Sequence, residues 1–489
     1  MKDWALPSMN VCNVLQLGEL LMSSLDALAN IFGPDQLVTD EHVLEPMLKE
    51  WRDRFFGTTT AALFPKNTDD VVRMIQIIAA HGDHIITQGG NTGLVGGQIP
   101  RNKREFILST KKMNKIRKVN PENNSITAEA GTTLHEVQMA AADIDRLFPL
   151  SLASEGSCTV GGNLATNAGG TAVLRYGNMR DLCLGLEFVT ADGSIHDNLS
   201  GLRKDNTGYD LRHLMVGSEG TLGIITAATL KLFAAPRDRQ VVMAGLESPS
   251  DAVALLSLAQ ELGQEQLSMF EIMPRIGIEF VTQYIPGRRD PLEAAYPWYV
   301  LVEYSGGSKQ GALNGLMERL MEEGLERGLI KDAAWAQTEQ QAKDLKYLRE
   351  DFSEAQKYAG ARINHDISLP VQLIPQFMKE GAKVVSSVCP DARIVSFGHL
   401  GDGNLHYNVS QPIGMDRDAY LALWETMNEK VHDLVVSMGG SISAEHGIGV
   451  LKNDELARYK NPADLTMMRA IKQAVDPGNL FAPDRILRA

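Results

Sequence analysis

Three glycine-rich segments fall between residues 88 and 226, and they limit what backbone this chain can build there. The first, Gln88-Gly89-Gly90-Asn91-Thr92-Gly93-Leu94-Val95-Gly96-Gly97, has five glycines in nine residues from Gly89 on. So little Cβ leaves the chain free to curl its N–H groups around an anion. The segment is neither G-x-G-x-x-G nor a Walker loop, since no Gly-Lys-Ser/Thr follows. By itself it reads equally as a hairpin or as a phosphate loop. The second runs from Ser154 to Gly170, with Gly161-Gly162 and Gly169-Gly170 as pairs. One such loop suits a mononucleotide, and two suit a dinucleotide lying along backbone. The third joins Asp205-Asn206-Thr207-Gly208-Tyr209-Asp210-Leu211 to Val216–Thr226. Three such segments together weaken the reading as ordinary turns.

Strands and helices frame these loops. Ala62–Pro65, His84–Thr87, Ile107–Thr110 and Ser125–Gly131 read as strands, Thr68 caps a helix reaching His81, and Thr133 opens another. Residues from about Leu20 to Phe56 read as helices with a break at Gly33-Pro34-Asp35. Asp40 there caps an amphipathic helix carrying Val43, Leu44, Met47, Leu48 and Trp51. This stretch reads as a lead-in and not as a site.

Further on, Val395–Val409 starts and ends like a strand but is interrupted by Gly401-Asp402-Gly403. His399 and His406 would face opposite ways on an unbroken strand, and a tight turn at the glycines returns both imidazoles to one point. His406 and Asn408, two apart, share a strand face. Ser443-Ala444-Glu445-His446-Gly447-Ile448-Gly449 then adds a carboxylate and an imidazole. Two histidines and a carboxylate, His399, His406 and Glu445, make a three-ligand metal site with an open position. Core histidines satisfied by hydrogen bonds are the other reading.

The 489 residues allow two to four domains. A formal charge of −14 opposes a nucleic-acid partner, because phosphate binding needs a positive surface. No apolar run is long enough to cross a bilayer. Cys12, Cys158, Cys183 and Cys389 form no C-x-x-C pair and read as thiols in a reducing cytosol. Met1–Asn30 lacks the basic start of a secretory signal and the arginines of a transit peptide, so the expected location is cytoplasmic.

Gln88–Pro100, Glu155–Gly170, Arg203–Leu211 and Gly217–Thr226 together resemble the FAD domain of the vanillyl-alcohol oxidase superfamily. With the His399…His406 and Glu445-His446 segments added, the chain is similar to the D-2-hydroxyglutarate dehydrogenase branch, near the D-lactate dehydrogenases and the glycolate oxidase FAD subunit. The similarity runs from about Phe64 to the C-terminus. It implies an α+β fold: a two-subdomain FAD-binding domain of the p-cresol methylhydroxylase (PCMH) type over residues 56–235, preceded by the helical lead-in 1–55. A substrate-binding cap with an antiparallel sheet follows over 236–489, its last segment, about 465–489, packing back on the FAD domain. FAD is expected against Gly89, Gly90, Asn91, Thr92 and Gly93 of the first loop, which hold the pyrophosphate. In the second loop it meets Gly156, Ser157, Gly161, Gly162, Asn163, Thr166, Asn167, Gly169 and Gly170, and beyond that Tyr176, Gly220 and Ile224. Some relatives attach FAD to a histidine where this chain has Asn91, so the flavin is expected to be non-covalent.

The implied reaction is oxidation of a D-2-hydroxy acid to a 2-oxo acid, with hydride passing to flavin N5. A divalent metal, zinc first, on His399, His406 and Glu445 would lower the hydroxyl pKa. His446 is the candidate general base. Asn408 is placed to hydrogen-bond substrate. Glu339–Lys357 reads as one helix with the apolar stripe Ala342, Leu345, Leu348, Phe352 and Ala355, and Arg349 shares a face with Ser353 one turn on. The helix pattern alone makes Arg349 a surface partner of Glu350 or Asp351. The resemblance makes it the carboxylate-binding arginine. Two positions depart from the family: Ser353 replaces threonine, and Asn364 stands where the 2-hydroxyglutarate enzymes usually have lysine. D-2-hydroxyglutarate is the first substrate expected, and D-lactate or another short D-2-hydroxy acid the alternative. A metal-dependent hydrolase without flavin, and a subunit serving mainly in electron transfer, are the other classes. The expected electron acceptor is an electron-transfer flavoprotein or a quinone, and a homodimer is expected from the family.

Overall fold

The computed structural model describes residues 22–488. Cys12 and the start of the lead-in lie outside them. Two smaller sheets come from the first half of the chain. Strands β1 (Leu37–Val38), β2 (Ala62–Leu63), β3 (His84–Gln88) and β4 (Glu105–Ser109) form a mixed sheet in the order β1-β2-β4-β3. Strands β5 (Ile116–Asn120) and β6 (Ser125–Glu129) join a second, antiparallel sheet. The pair β7 (Arg146–Leu147) and β11 (Phe233–Ala234) stands apart. With β8 (Cys183–Val189), β9 (Ile195–Asn198) and β10 (Ile224–Lys231), the second sheet runs β5-β6-β10-β8-β9. The first glycine loop leaves the end of β3, and the second lies between β7 and β8.

Helix Thr68–Ala80 shows why these elements form where they do. The Asn67 side chain accepts the Asp70 N–H, Asp69 and Asp70 complement the positive helix start, and Val71, Met74, Ile75 and Ile78 bury one face. The cap is Asn67, one residue before the expected Thr68. The lead-in departs further: Asp40 caps only Glu41–Leu44, and a 3₁₀ turn with Pro46 ends it at Met47, because proline removes the N–H that an α-helix needs. The chain then doubles back, with Lys49 bridged to Phe56.

The large sheet is antiparallel throughout. Its strands are β12 (Asp238–Leu246), β13 (Leu267–Pro274), β14 (Trp298–Gly306), β15 (Asp332–Trp335), β16 (Arg362–Ser368), β17 (Arg393–His399) and β18 (Asn404–Ser410), in the order β15-β12-β14-β13-β17-β18-β16. Period-two alternation sends Ile363, Ile367, Leu405, Tyr407 and Val409 to one core, beneath helices Pro249–Gly263, Ile374–Val388 and Trp424–Ser437. The opposite face carries Val395 and Phe397 into a second core with Leu345, Leu348 and Phe352. Asn364 and Asp366 of β16, His399 of β17 and His406 and Asn408 of β18 share that second face.

The C-terminal residues return to the first sheet. Phe481 bridges Ile85, and the fully buried Arg485 pairs with Glu105 at 2.7 Å. Among the described residues no helix is long and apolar enough to cross a membrane.

Candidate active site

The turn between β17 and β18 is a 3₁₀ turn at Leu400–Asp402 closed by Gly403 at φ +83°, where a Cβ would run into the Leu369 carbonyl. It brings the His399 and His406 rings to 5.6 Å, edge to face. The register then builds a polar row. Glu271 of β13 sits opposite His399, and His406 sits opposite Asp366 of β16. His399 Nδ1 bonds the Glu271 carboxylate, and His399 Nε2 lies 3.7 Å from Glu445 Oε1. Ligand atoms of His399, His406 and Glu445 all lie within 4.8 Å of one another.

A second trio, Asp366, His406 and His446, meets the same distance. Asp366 is already committed. Its Oδ2 accepts the backbone N–H groups of Glu445 at 2.8 Å and His446 at 2.9 Å, and its Oδ1 accepts the Asn404 amide at 3.0 Å. It therefore orients its neighbours: His446 Nδ1 lies 3.5 Å and His406 Nδ1 3.7 Å from it. The first trio is the one with donor atoms to spare.

Electrostatics separate these groups. Burial disfavours a charged His399, but Glu271, as charge and hydrogen-bond acceptor, and then Glu445 outweigh it and raise its pKa to about 9. Burial likewise opposes ionised Glu271, yet His399 and Arg349 hold it down to about 2. Burial lifts Glu445 to about 7 against the attraction of His399. The pKa of His446 is lowered, mainly by burial, which favours its unprotonated imidazole.

The glycine loops meet this row. The Gly170 N–H donates to Glu445 Oε1 at 3.0 Å. Side chains on Gly89 and Gly90 would strike Thr159 and the Ser157 carbonyl, so the first two loops can touch only as glycines. None of the backbone N–H groups from Gly89 to Gly93 finds an acceptor among the described residues. An undischarged row of donors is what a phosphate group fits. Asn91, at φ +57°, gives its amide to the Pro46 and Lys49 carbonyls at 3.1 and 3.0 Å.

The other expected contacts are scattered more widely. Thr166 Oγ1 bonds the Gly162 carbonyl, Asn163 reaches Cys158 Sγ, and Asn167 accepts the Arg180 N–H. Gly156 has open space around it, and Gly220 sits at φ +72° beside Thr87. Tyr176 packs on Phe233, with Arg175 over its ring. Ile224 is wholly buried beside Val189 in the core, which leaves only its backbone to face a ligand. Arg203–Asp210 is exposed, with Thr207 bonded to Asp205, so this half of the third patch does not line the loops, whereas the Gly217 and Glu219 N–H groups donate to the Leu164 and Ala165 carbonyls of the second segment.

Arg349 is not on the surface. Its Nε donates to Glu271 Oε2 at 2.6 Å and its guanidinium lies 4.6 Å from the Phe397 ring, while Asp351 pairs with Arg288. The expected single helix is two, Glu339–Glu350 and Phe352–Tyr358, broken at Asp351, so Ser353 is exposed while Arg349 is buried. The apolar stripe spans both. Asn364 faces Asn408 across β16 and β18. Asn408 bonds Gln356 at 3.1 Å, and Asn364 Oδ1 is buried without a partner.

Glu271, Asp366 and Glu219 escape the sequence reading. Glu271 is visible in retrospect as the lone charge in the apolar run Leu267–Met273. Glu219 accepts the N–H groups of Ile448 and Gly449 at 2.8 and 2.7 Å.

Comparison with known proteins identifies the family. Residues 59–198 match the family described as FAD binding domain, and residues 235–486 match FAD linked oxidases, C-terminal domain. The chain is 36% identical to the D-2-hydroxyglutarate dehydrogenase, mitochondrial, of Arabidopsis thaliana, covering 96% of this chain and 83% of that protein. It is 34% identical to the D-2-hydroxyglutarate dehydrogenase of Stutzerimonas stutzeri (strain A1501), covering 95% and 99%. Among solved structures, p-cresol methylhydroxylase with substrate bound superposes with a TM-score of 0.75 at 17% identity, covering 96% of this chain and 97% of that one. That likeness shows the PCMH-type α+β fold. The chain belongs to the FAD-linked oxidases of the vanillyl-alcohol oxidase superfamily and is an FAD-linked oxidoreductase.

Proposed function

We propose that this protein oxidises a D-2-hydroxy acid, D-2-hydroxyglutarate first, to the 2-oxo acid, with non-covalent FAD and a divalent metal, zinc first. The observation that carries this is the convergence of His399, His406 and Glu445 within 4.8 Å, at a carboxylate bonded to the second glycine loop. When bound, FAD supplies the hydride acceptor and the metal an electrophile at the substrate hydroxyl.

The chain does the rest. Glu271 fixes the His399 ring through Nδ1 and so leaves Nε2 for the metal. Asp366 faces His446 Nδ1, which makes Nε2 the atom that takes the hydroxyl proton. Arg349, held through Nε by Glu271, keeps its remaining donors for the C1 carboxylate. Asn408, Asn364 and Ser353 line the substrate end. The FAD-binding half would span 56–235 and the cap 236–489. The three described cysteines are buried free thiols, which supports a reducing compartment such as the cytoplasm. An electron-transfer flavoprotein or quinone would then reoxidise the flavin.

One observation favours a second reading. Asn364 is uncharged, which would suit D-lactate or another monocarboxylate. An anaerobic titration of the purified holoprotein tests both. Loss of the oxidised-flavin absorbance with D-2-hydroxyglutarate supports the first, with D-lactate alone the second. Flavin that stays oxidised with every D-2-hydroxy acid sinks both.

A further inference from the structure

The lead-in carries three observations that the reaction above leaves unused. Residues 46–57 form a strap between the first glycine loop and the large sheet. On one side Asn91 and Gln88 bond its carbonyls, and Phe55 packs against Gly96. On the other side Trp51 lies under Lys357 of the helix after Arg349, and Arg54 stacks on Trp424 at 3.8 Å.

The strap brings Arg52 and Arg54 near enough for their charges to act on Arg362 of β16. Arg362 is on the same strand face as Asn364 and Asp366, four residues or about 13 Å from Asp366 along the strand. Arg362 is fixed by donating to the Ser353 carbonyl at 2.8 Å. Burial, then the charges of Arg52 and Arg54, push its pKa down to about 10, so the three cations repel one another in a half-buried setting. Arg52 also acts electrostatically on Asp366 and on His446, which sets it at the substrate end of the site.

No compensating anion is paired with them. Among the described residues none of the three guanidinium groups makes an ion pair, and Arg52 Nε is buried with no acceptor. Glu354 is taken by Lys357 at 2.7 Å, and Asp366 by the donors described above. That leaves the buried Glu50, with a weaker pull from Asp366 on Arg52, against three cations, and neither carboxylate is within ion-pair distance. Half-buried like charges without a counter-ion are unfavourable unless an anion arrives. A second carboxylate on the substrate is such an anion, and a guanidinium fork matches it.

We propose that Arg52, with Arg362 and Arg54 beside it, binds the distal carboxylate of a dicarboxylic D-2-hydroxy acid and so sets the substrate class. This rests on the proposed oxidation of D-2-hydroxy acids at His399, His406 and Glu445. It assigns to the strap the charge that Asn364 does not supply.

The test compares kcat/KM for D-2-hydroxyglutarate and D-lactate in the metal-loaded holoenzyme with a dye acceptor. Arg52→Met should lower the ratio of diacid to monoacid by about 10- to 100-fold, mainly through KM for the diacid, as loss of a charge-assisted hydrogen bond predicts. Arg52→Lys should restore most of it, which separates charge from folding. An unchanged ratio in Arg52→Met, or an equal loss for both acids with no rescue by lysine, overturns the proposal. So does loss of flavin with the ratio intact, which would give the cation to the cofactor. Reduction of the wild-type flavin by D-lactate but not the diacid overturns this inference while keeping the oxidation reading. No reduction by either acid overturns both.

Discussion

Asp366 and Glu219 hold opposite ends of one loop. Asp366, from the large sheet, accepts the N–H groups of Glu445 and His446, and Glu219, from the loop before β10, accepts those of Ile448 and Gly449. Gly447 between them, at φ +82°, has no room for a Cβ against Glu219. The loop of the metal-ligand candidate and the candidate base is thus held by one carboxylate from the large sheet and one from the loop before β10.

Glu219→Leu removes one of these grips. Two charged hydrogen bonds vanish and two buried N–H groups lose their acceptor, a cost of about 2–4 kcal/mol. We expect a lower denaturation midpoint and a kcat reduced about 10- to 100-fold. A variant with wild-type kcat and midpoint would show that the loop stands without Glu219.

Glu271 serves His399 and Arg349 at once. Glu271→Gln keeps the shape but removes the charge that orients the ring, so metal affinity should fall about 10- to 100-fold. Competition with a chromophoric chelator measures this. KM for the hydroxy acid should rise too, because Arg349 loses the same partner.

Asn91 ties the first glycine loop to the lead-in. Asn91→Ala gives up two amide hydrogen bonds and places a Cβ without side-chain support at positive φ, costing about 1–3 kcal/mol. Flavin should be lost faster on gel filtration. In the wild-type protein, acid precipitation should leave all the flavin in the supernatant.

Glu187 gives a pH-dependent signature. Burial opposes its charge, but Arg117, Thr226 and Thr68 hold its pKa below the ordinary 4.5. A depressed carboxylate stabilises above its unfolded pKa, about 4.3, and the contribution fades as pH falls through the folded value. Glu187→Gln should therefore be less stable by about 2 kcal/mol at pH 7 in urea denaturation. The gap should narrow as pH falls below the unfolded value and through the lowered folded one.

The sequence made the chemistry legible where residue type and spacing act locally. The Gly-Asp-Gly interruption announced the turn that unites His399 and His406, and the clustered glycines announced close backbone approach. What it hid depends on register across the large sheet. Nothing near Arg349 names Glu271, 78 residues earlier, as its partner. The helix break at Asp351 was equally hidden, because the apolar stripe continues through it. The lead-in misled for a related reason: Arg52 and Arg54 look like solvent charges until the fold lays them over Arg362.

The bond between Gly170 N–H and Glu445 Oε1 reaches beyond positioning. That oxygen also faces His399 Nε2, so one atom belongs to both the flavin-side backbone and the metal-side trio. On the proposed reading, with FAD along Gly170 and a metal at Glu445, occupancy of the two places is coupled through this atom. Whatever factor a bound ion adds to flavin retention, bound flavin must add to ion retention, since the coupling is reciprocal. On the proposed reading, maturation of this protein becomes a linked equilibrium, in which scarcity of either constituent weakens retention of the other.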